Sequence, residues 1–141
     1  MKNSRFAVAV HILALTYSQS RDYLTSEFIA SSVNTNAVVI RRISGMLKKA
    51  GLLTSQAGIP GVGITKDPAE ITLLDVYKAV DESGQSFAVH ENPNPNCLVG
   101  GRIQDTLEKK FAAAQQAMEN ELANQTLADV MEDLFEKGSI N

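Results

Sequence analysis

Arg41, Arg42, Lys48 and Lys49 crowd into a short stretch of an otherwise acidic chain, with Asn36 and Val38 just before them. These side-chain types can read DNA. Arginine reaches guanine through two parallel hydrogen bonds, asparagine pairs with adenine, valine meets the thymine methyl, and lysines neutralise phosphates. A second set is Cys97, the single cysteine, with His90 upstream of it. An accessible thiol can be oxidised or joined to another thiol. One cysteine and two histidines cannot make an internal disulfide or a cysteine-only metal cage. As nucleophile and base the pair lacks an orienting third group, an oxyanion-hole motif and a cofactor loop, so no enzyme is expected. Each set has a plainer alternative: a surface helix with solvated cations, and an idle thiol.

The charge distribution favours a polyanion partner. The net charge of −3 hides eight Lys/Arg against Asp22 and Glu27 in residues 1–66, then five against fourteen acids in the remainder. Such asymmetry suggests a nucleic-acid site on one half and solvation or self-association on the other. At 141 residues and 44% hydrophobic, the chain can fill one small core. Neither a membrane span nor a signal peptide is read, and a cytoplasmic location is the expectation.

The elements around the cations form a series. A helix over 4–18, capped by Ser4, should bury Phe6, Val10, Leu13 and Tyr17, with His11 as a packed or partly exposed histidine. Thr25 caps a second helix with Phe28, Ile29 and Val33 inward, residues 32–36 turn, and Asn36 caps a third helix ended by Gly51. In that third helix Ile40, Ile43 and Leu47 should face the core and Val38, Arg41, Arg42, Gly45, Lys48 and Lys49 the solvent. Residues 52–54 begin a strand, 57–63 read as a glycine-rich loop and 64–65 return, a hairpin in which Gln56, Gly58 and Gly61 could approach a phosphate backbone.

Downstream, Thr72 and Asp75 box the start of a helix over 72–83 stopped by Gly84, a short strand is read at 86–89, and residues 90–101 are loop. A long helix over 102–123 carries Ile103, Leu107, Phe111, Ala114, Met118 and Leu122 on one stripe, more apolar surface than a small domain covers. Pairing of Ile103, Leu107, Phe111, Met118 and Leu122 with a second copy is the simplest resolution; a helix lying on its own domain is the alternative. Thr126 with Asp129 caps a last helix, 127–136, that could pack over the long one. The expected fold is mainly α with a small β-hairpin wing, a winged helix-turn-helix plus a long dimerisation helix. It divides into DNA-binding residues 1–66, a connecting helix and sensor loop at 67–101, and dimerisation residues 102–141.

Residues 1–136 resemble the Rrf-type family of bacterial transcription regulators. The likeness is carried by LTSEFIASSVNTNAVVIRRISGMLKKAGLL, by GITKDPAEITLLDVYKAVDE after the wing, and by the Cys97 loop leading into the long helix. It implies a winged-helix homodimer on a pseudo-palindromic double-stranded operator. Two departures bear on function. Cluster-binding members carry three spaced cysteines, often with a histidine soon after the third; here Cys97 takes the last cysteine's place and Gly100 the histidine's. A cluster needs four ligands, mostly thiolates, so no cofactor is expected. Relatives often place an arginine in the wing tip, where this chain has Gln56, Ala57 and Ile59.

The expected function is therefore a dimeric, DNA-binding repressor. Asn36, Val38, Arg41 and Arg42 read bases, while Thr25, Lys48, Lys49, Gln56, Gly58 and Gly61 meet the backbone. The alternative is a regulator responsive to a thiol signal, a small molecule or another protein through Cys97, His90 and their loop.

Overall fold

The computed structural model describes residues 4–81 and 89–136. Three helices make the core of the N-terminal part: α1 (Arg5–Ser18), α2 (Ser26–Val33) and α3 (Ala37–Lys49). The hairpin follows as β1 (Leu53–Gln56) and β2 (Ile59–Ile64), and then α4 (Leu73–Val80), α5 (Ile103–Ala123) and α6 (Leu127–Glu136). The architecture is mainly α with one small antiparallel hairpin, as the sequence predicts.

Helix ends are set where short polar side chains can satisfy free backbone amides. Thr25 accepts from the Phe28 amide at 3.1 Å and Asn36 from the Val39 amide at 3.0 Å. Reciprocal capping boxes form at Thr72/Asp75 and at Thr126/Asp129. Ser4 does not cap α1 through its side chain, because its backbone is not in the extended region that aims a capping hydroxyl at the helix. Gly51, at φ +81°, closes α3 with the Leu52 amide on the Leu47 carbonyl and its own amide on that of Lys48, a Schellman ending.

The buried face of α1 differs from the predicted one. Ala9, Ile12, Leu13, Ala14 and Thr16 are buried, whereas Phe6, Val10 and Tyr17 are only half-buried. This helix is apolar nearly all round, so the neighbours α3, α4 and α6 choose its inner face. In α2, Ile29 and Ala30 are buried while Phe28 stays exposed. Helix α3 buries Ile40, Ile43, Ser44 and Leu47, the predicted core side.

The hairpin is more regular than its composition suggests. Residues 59–63, expected as loop, belong to β2, which pairs Leu53 with Ile64, Thr54 with Gly63 and Gln56 with Ile59. Only Ala57 and Gly58 remain as the turn, and a register shift between Thr54 and Gln56 places the extra residues on β2. The glycines shape strand irregularities here rather than a disordered tip.

Helix α6 returns to the N-terminal core. The Leu127 amide bonds the Ile71 carbonyl and the Leu73 amide the Gln125 carbonyl, each at 2.8 Å, so a short bridge joins the starts of α4 and α6. Leu127 is fully buried there, and α6 packs chiefly against α1 and the 3-10 turn Pro68–Glu70. The bridge between Thr72 and Thr126 sets this placement within the chain. Helix α4 ends at Val80, short of the expected 83, because Asp81 is already extended; the strand read at 86–89 lies outside the described residues, apart from Val89, which is in no regular element.

Candidate nucleic-acid interface

Because Ile40, Ile43 and Leu47 anchor α3 from one side, the opposite face must point outward. Val38, Arg41, Arg42, Gly45, Lys48 and Lys49 are all exposed there. Val38 is 71% exposed, an apolar tip at the start of a basic helix, and nothing would lie within 4 Å of a Cβ at Gly45. The surface is thus low in its middle, apolar at its N-terminal end and cationic along its flank. Lys48 and Lys49 also sit in the last turn, where positive charge complements the helix dipole.

Two predicted readers are already engaged. The Asn36 side-chain oxygen holds the Val39 amide, and pairing with adenine would need that same oxygen to accept. Asn36 is therefore first a cap. Arg41 Nη2 lies 3.9 Å from the Glu27 carboxylate, with the two side chains 55% and 76% exposed, a solvent-screened pair that holds the guanidinium over the start of α2 at little energetic gain. Thr25 combines its capping role with an exposed position beside that pair.

The hairpin stands next to α3, tied at its base. The Thr65 hydroxyl donates to the Gly51 carbonyl at 2.6 Å, and the Tyr17 hydroxyl donates to the Lys66 carbonyl. Burial, with smaller contributions from Asp67 and Glu70, pushes the Tyr17 phenol up to about 12. Gln56, Ala57, Gly58 and Ile59 are exposed at the tip, where Gly58 has φ +83° and open space around it. Gly61 is different: a Cβ there would collide with the Arg21 carbonyl, so this glycine serves internal packing. The sequence pattern did not single out Arg21, because nothing local in it links the α1–α2 connection to a glycine in the wing.

The Cys97 loop is built from consecutive turns. The Cys97 amide bonds the Asn94 carbonyl, and the Gly101 amide bonds the Cys97 carbonyl at 2.8 Å. The thiol is exposed, and the Gly100 and then the Val99 amides, directed at its sulfur, lower its pKa below the usual thiol value. Any side chain at position 100 would strike the Asn94 carbonyl, so this loop leaves no room for a ligating histidine there. His90 is exposed, and among the described residues no three His, Cys, Asp or Glu side chains are grouped to hold a metal. A cleft of about 410 Å³ lies behind the loop, lined by Asn92, Pro93, Pro95, Gly100, Gly101, Gln104 and Asp105.

None of the 21 residues of α5 is buried. Ile103, Leu107, Phe111, Met118 and Leu122 are half-covered, α4 being the main neighbour, and Ala112, Ala113, Ala114 and Ala117 are exposed. Among the described residues no helix is long and apolar enough to cross a membrane.

Comparison with known proteins places this arrangement. The family model named Rrf2, described as an iron-dependent transcriptional regulator, matches residues 2–133. YwnA of Bacillus subtilis (strain 168), provisionally named an HTH-type transcriptional regulator, is 56% identical over 96% of this chain and 100% of its own length. A crystal structure of a protein provisionally described as DNA-binding is 50% identical, covering 91% of this chain and 99% of that one, with a TM-score of 0.75. A structure from Lactobacillus plantarum, provisionally described as a transcriptional regulator, is 26% identical with a TM-score of 0.82, covering 96% and 93%.

Proposed function

Since this chain belongs to the Rrf2 family of winged-helix transcriptional regulators, we propose that it is a homodimeric, sequence-specific DNA-binding repressor that carries no iron–sulfur cluster. The observation that carries the reading is the outward face of α3, where Val38, Arg41 and Arg42 stand exposed over a buried Ile40/Ile43/Leu47 stripe and beside the hairpin. A helix of this kind enters the major groove by its N-terminal residues while its flanks meet phosphate. Arg41 and Arg42 are the main base readers, Val38 contacts a thymine methyl, and Asn36 mainly supports the helix start. Thr25, Lys48, Lys49, Gln56 and Gly58 bind the sugar–phosphate backbone.

Dimerisation through α5 supplies the second half-site. Fully burying an exposed large side chain gains roughly 1.5–3 kcal/mol; the stripe is already half-covered, so each gains part of that, and the five together favour association. A symmetric dimer then presents two α3 helices about one helical turn of DNA apart. For the cluster, one cysteine per chain and a loop closed to a side chain at position 100 leave too few ligands, whatever the family's description.

Selection of bound DNA from a random pool tests the reading. Enrichment of a palindrome with half-sites about 10 base pairs apart is expected, and unchanged binding by an Arg41→Ala, Arg42→Ala double variant would refute the assignment. A second reading, control through Cys97, is favoured by the exposed thiol with its lowered pKa. If oxidant leaves operator binding of wild type and Cys97→Ala alike, the thiol plays no part.

A further inference from the structure

Arg21 lies in the 3-10 turn Arg21–Tyr23 between α1 and α2, against the middle of the wing strand β2. Two glycines of that strand make room for it. At Gly61, φ is +84° and a Cβ would collide with the Arg21 carbonyl and crowd its Cγ at 3.2 Å. At Gly63, a Cβ would stand 2.5 Å from Arg21 Nη1. The contact falls where the hairpin leaves regular register, between the Thr54–Gly63 and Gln56–Ile59 pairs. A strand bends at such a bulge, so whatever fills the angle sets the direction of the tip.

The guanidinium is held at a cost. Its Nε and Nη2 are buried and have no hydrogen-bond partner among the described residues. Arginine cannot shed its charge to relieve this, and buried donors without acceptors are destabilising. Packing alone would be served by an apolar side chain of similar length, without the cost of the two unpartnered donors. With Nε and Nη2 turned inward, Arg21 offers a phosphate less than the exposed Lys48 and Lys49 do.

We propose that Arg21 is the positioning residue of the wing: wedged against Gly61 and Gly63, it sets the angle of the hairpin tip relative to α3. The inference rests on the DNA-binding reading for its consequence but not for its structural content. Arg21 stands behind the wing, and the exposed tip residues Gln56, Gly58 and Ile59 are left to do the touching.

Three variants test it: Arg21→Met, which keeps the stem and removes the charge; Gly63→Ala, whose methyl displaces only the movable end of Arg21; and the two combined. Thermal melting, hydrogen exchange of the β1–β2 amides, and binding to the selected operator across salt concentrations are measured for each. For Arg21→Met we expect an equal or higher Tm, faster exchange confined to the hairpin, and operator binding weakened on the order of tenfold, as for coupled neighbours, with an unaltered salt slope. Gly63→Ala should reproduce the weakening in the wild-type background and be silent beside Arg21→Met. A lower Tm would make Arg21 merely structural, and a salt slope reduced by about one would make it a phosphate ligand; either overturns the proposal, as does full additivity of the pair or unchanged hairpin exchange. If wild type selects no sequence at all, the DNA-binding reading has failed, and the exchange data still decide the wedge.

Discussion

Helices α3 and α5 are built on opposite principles. Helix α3 is closed at both ends, by Asn36 and by Gly51, and sinks four residues into the core. Helix α5 is longer, has no side-chain cap at Arg102, and buries no residue. The Ile40, Ile43 and Leu47 stripe of α3 is hidden by its own chain, which leaves the opposite face, with Val38 and the cations, exposed. Helix α5 leaves its stripe only half-covered and its alanines exposed. One surface is anchored from behind and charged; the other is a half-covered apolar stripe flanked by exposed alanines.

The largest effect should come from breaking α5. Leu107→Glu with Phe111→Glu is expected to give a monomer by sedimentation and to weaken operator binding by more than about hundredfold, the usual worth of linking two sites. Stable dimers in that variant would return α5 to its own chain. On the α3 side, Arg41→Ala should cost about 1–3 kcal/mol at one operator position, while Lys49→Ala should weaken all sequences alike and lower the salt slope by about one. Equal, sequence-independent losses for both would erase the division between readers and phosphate contacts. Smaller again is Asn36→Ala, expected to lower folding stability by about 1 kcal/mol through loss of the cap, with dimerisation untouched. A reader's signature at one base pair, with no change in Tm, would instead free Asn36 from its capping role.

The smallest effect is a pH dependence away from both helices. Tyr17 is pushed up to about 12 in the folded chain, above its ordinary value of 10.0, chiefly by burial. The unfolded chain therefore loses this proton first. The contribution is whole below pH 10, fades as pH rises toward 12, and should vanish in Tyr17→Phe; an alkaline denaturation series on both proteins measures it.

Much of this was legible before folding. The inner and outer faces of α3 follow from residue spacing, because its apolar and charged side chains alternate sharply around the helix. The capping boxes at Thr72/Asp75 and Thr126/Asp129 are local as well, each closing over four residues. Where local contrast is lacking, the chain is silent. Helix α1 is apolar nearly all round, so beyond the expected Leu13 only its neighbours selected Ala9 and Ile12 over Phe6 and Tyr17. Residues 59–63 read as loop by composition, yet pairing with β1 supplied the strand that propensity withheld.

Two placements needed the whole fold. Leu127 joins the N-terminal core only because a backbone bridge across Thr72 and Thr126 turns α6 back onto α1. Arg21 and Gly63 meet although distant in sequence, and no periodicity records such a contact. Periodicity and capping are properties of neighbouring residues, so the chain alone determined which helices exist and which face of α3 is charged. Which surfaces touch is a property of the packed molecule, and the tertiary structure alone decided the seat of the wing against Arg21 and the return of α6 onto α1.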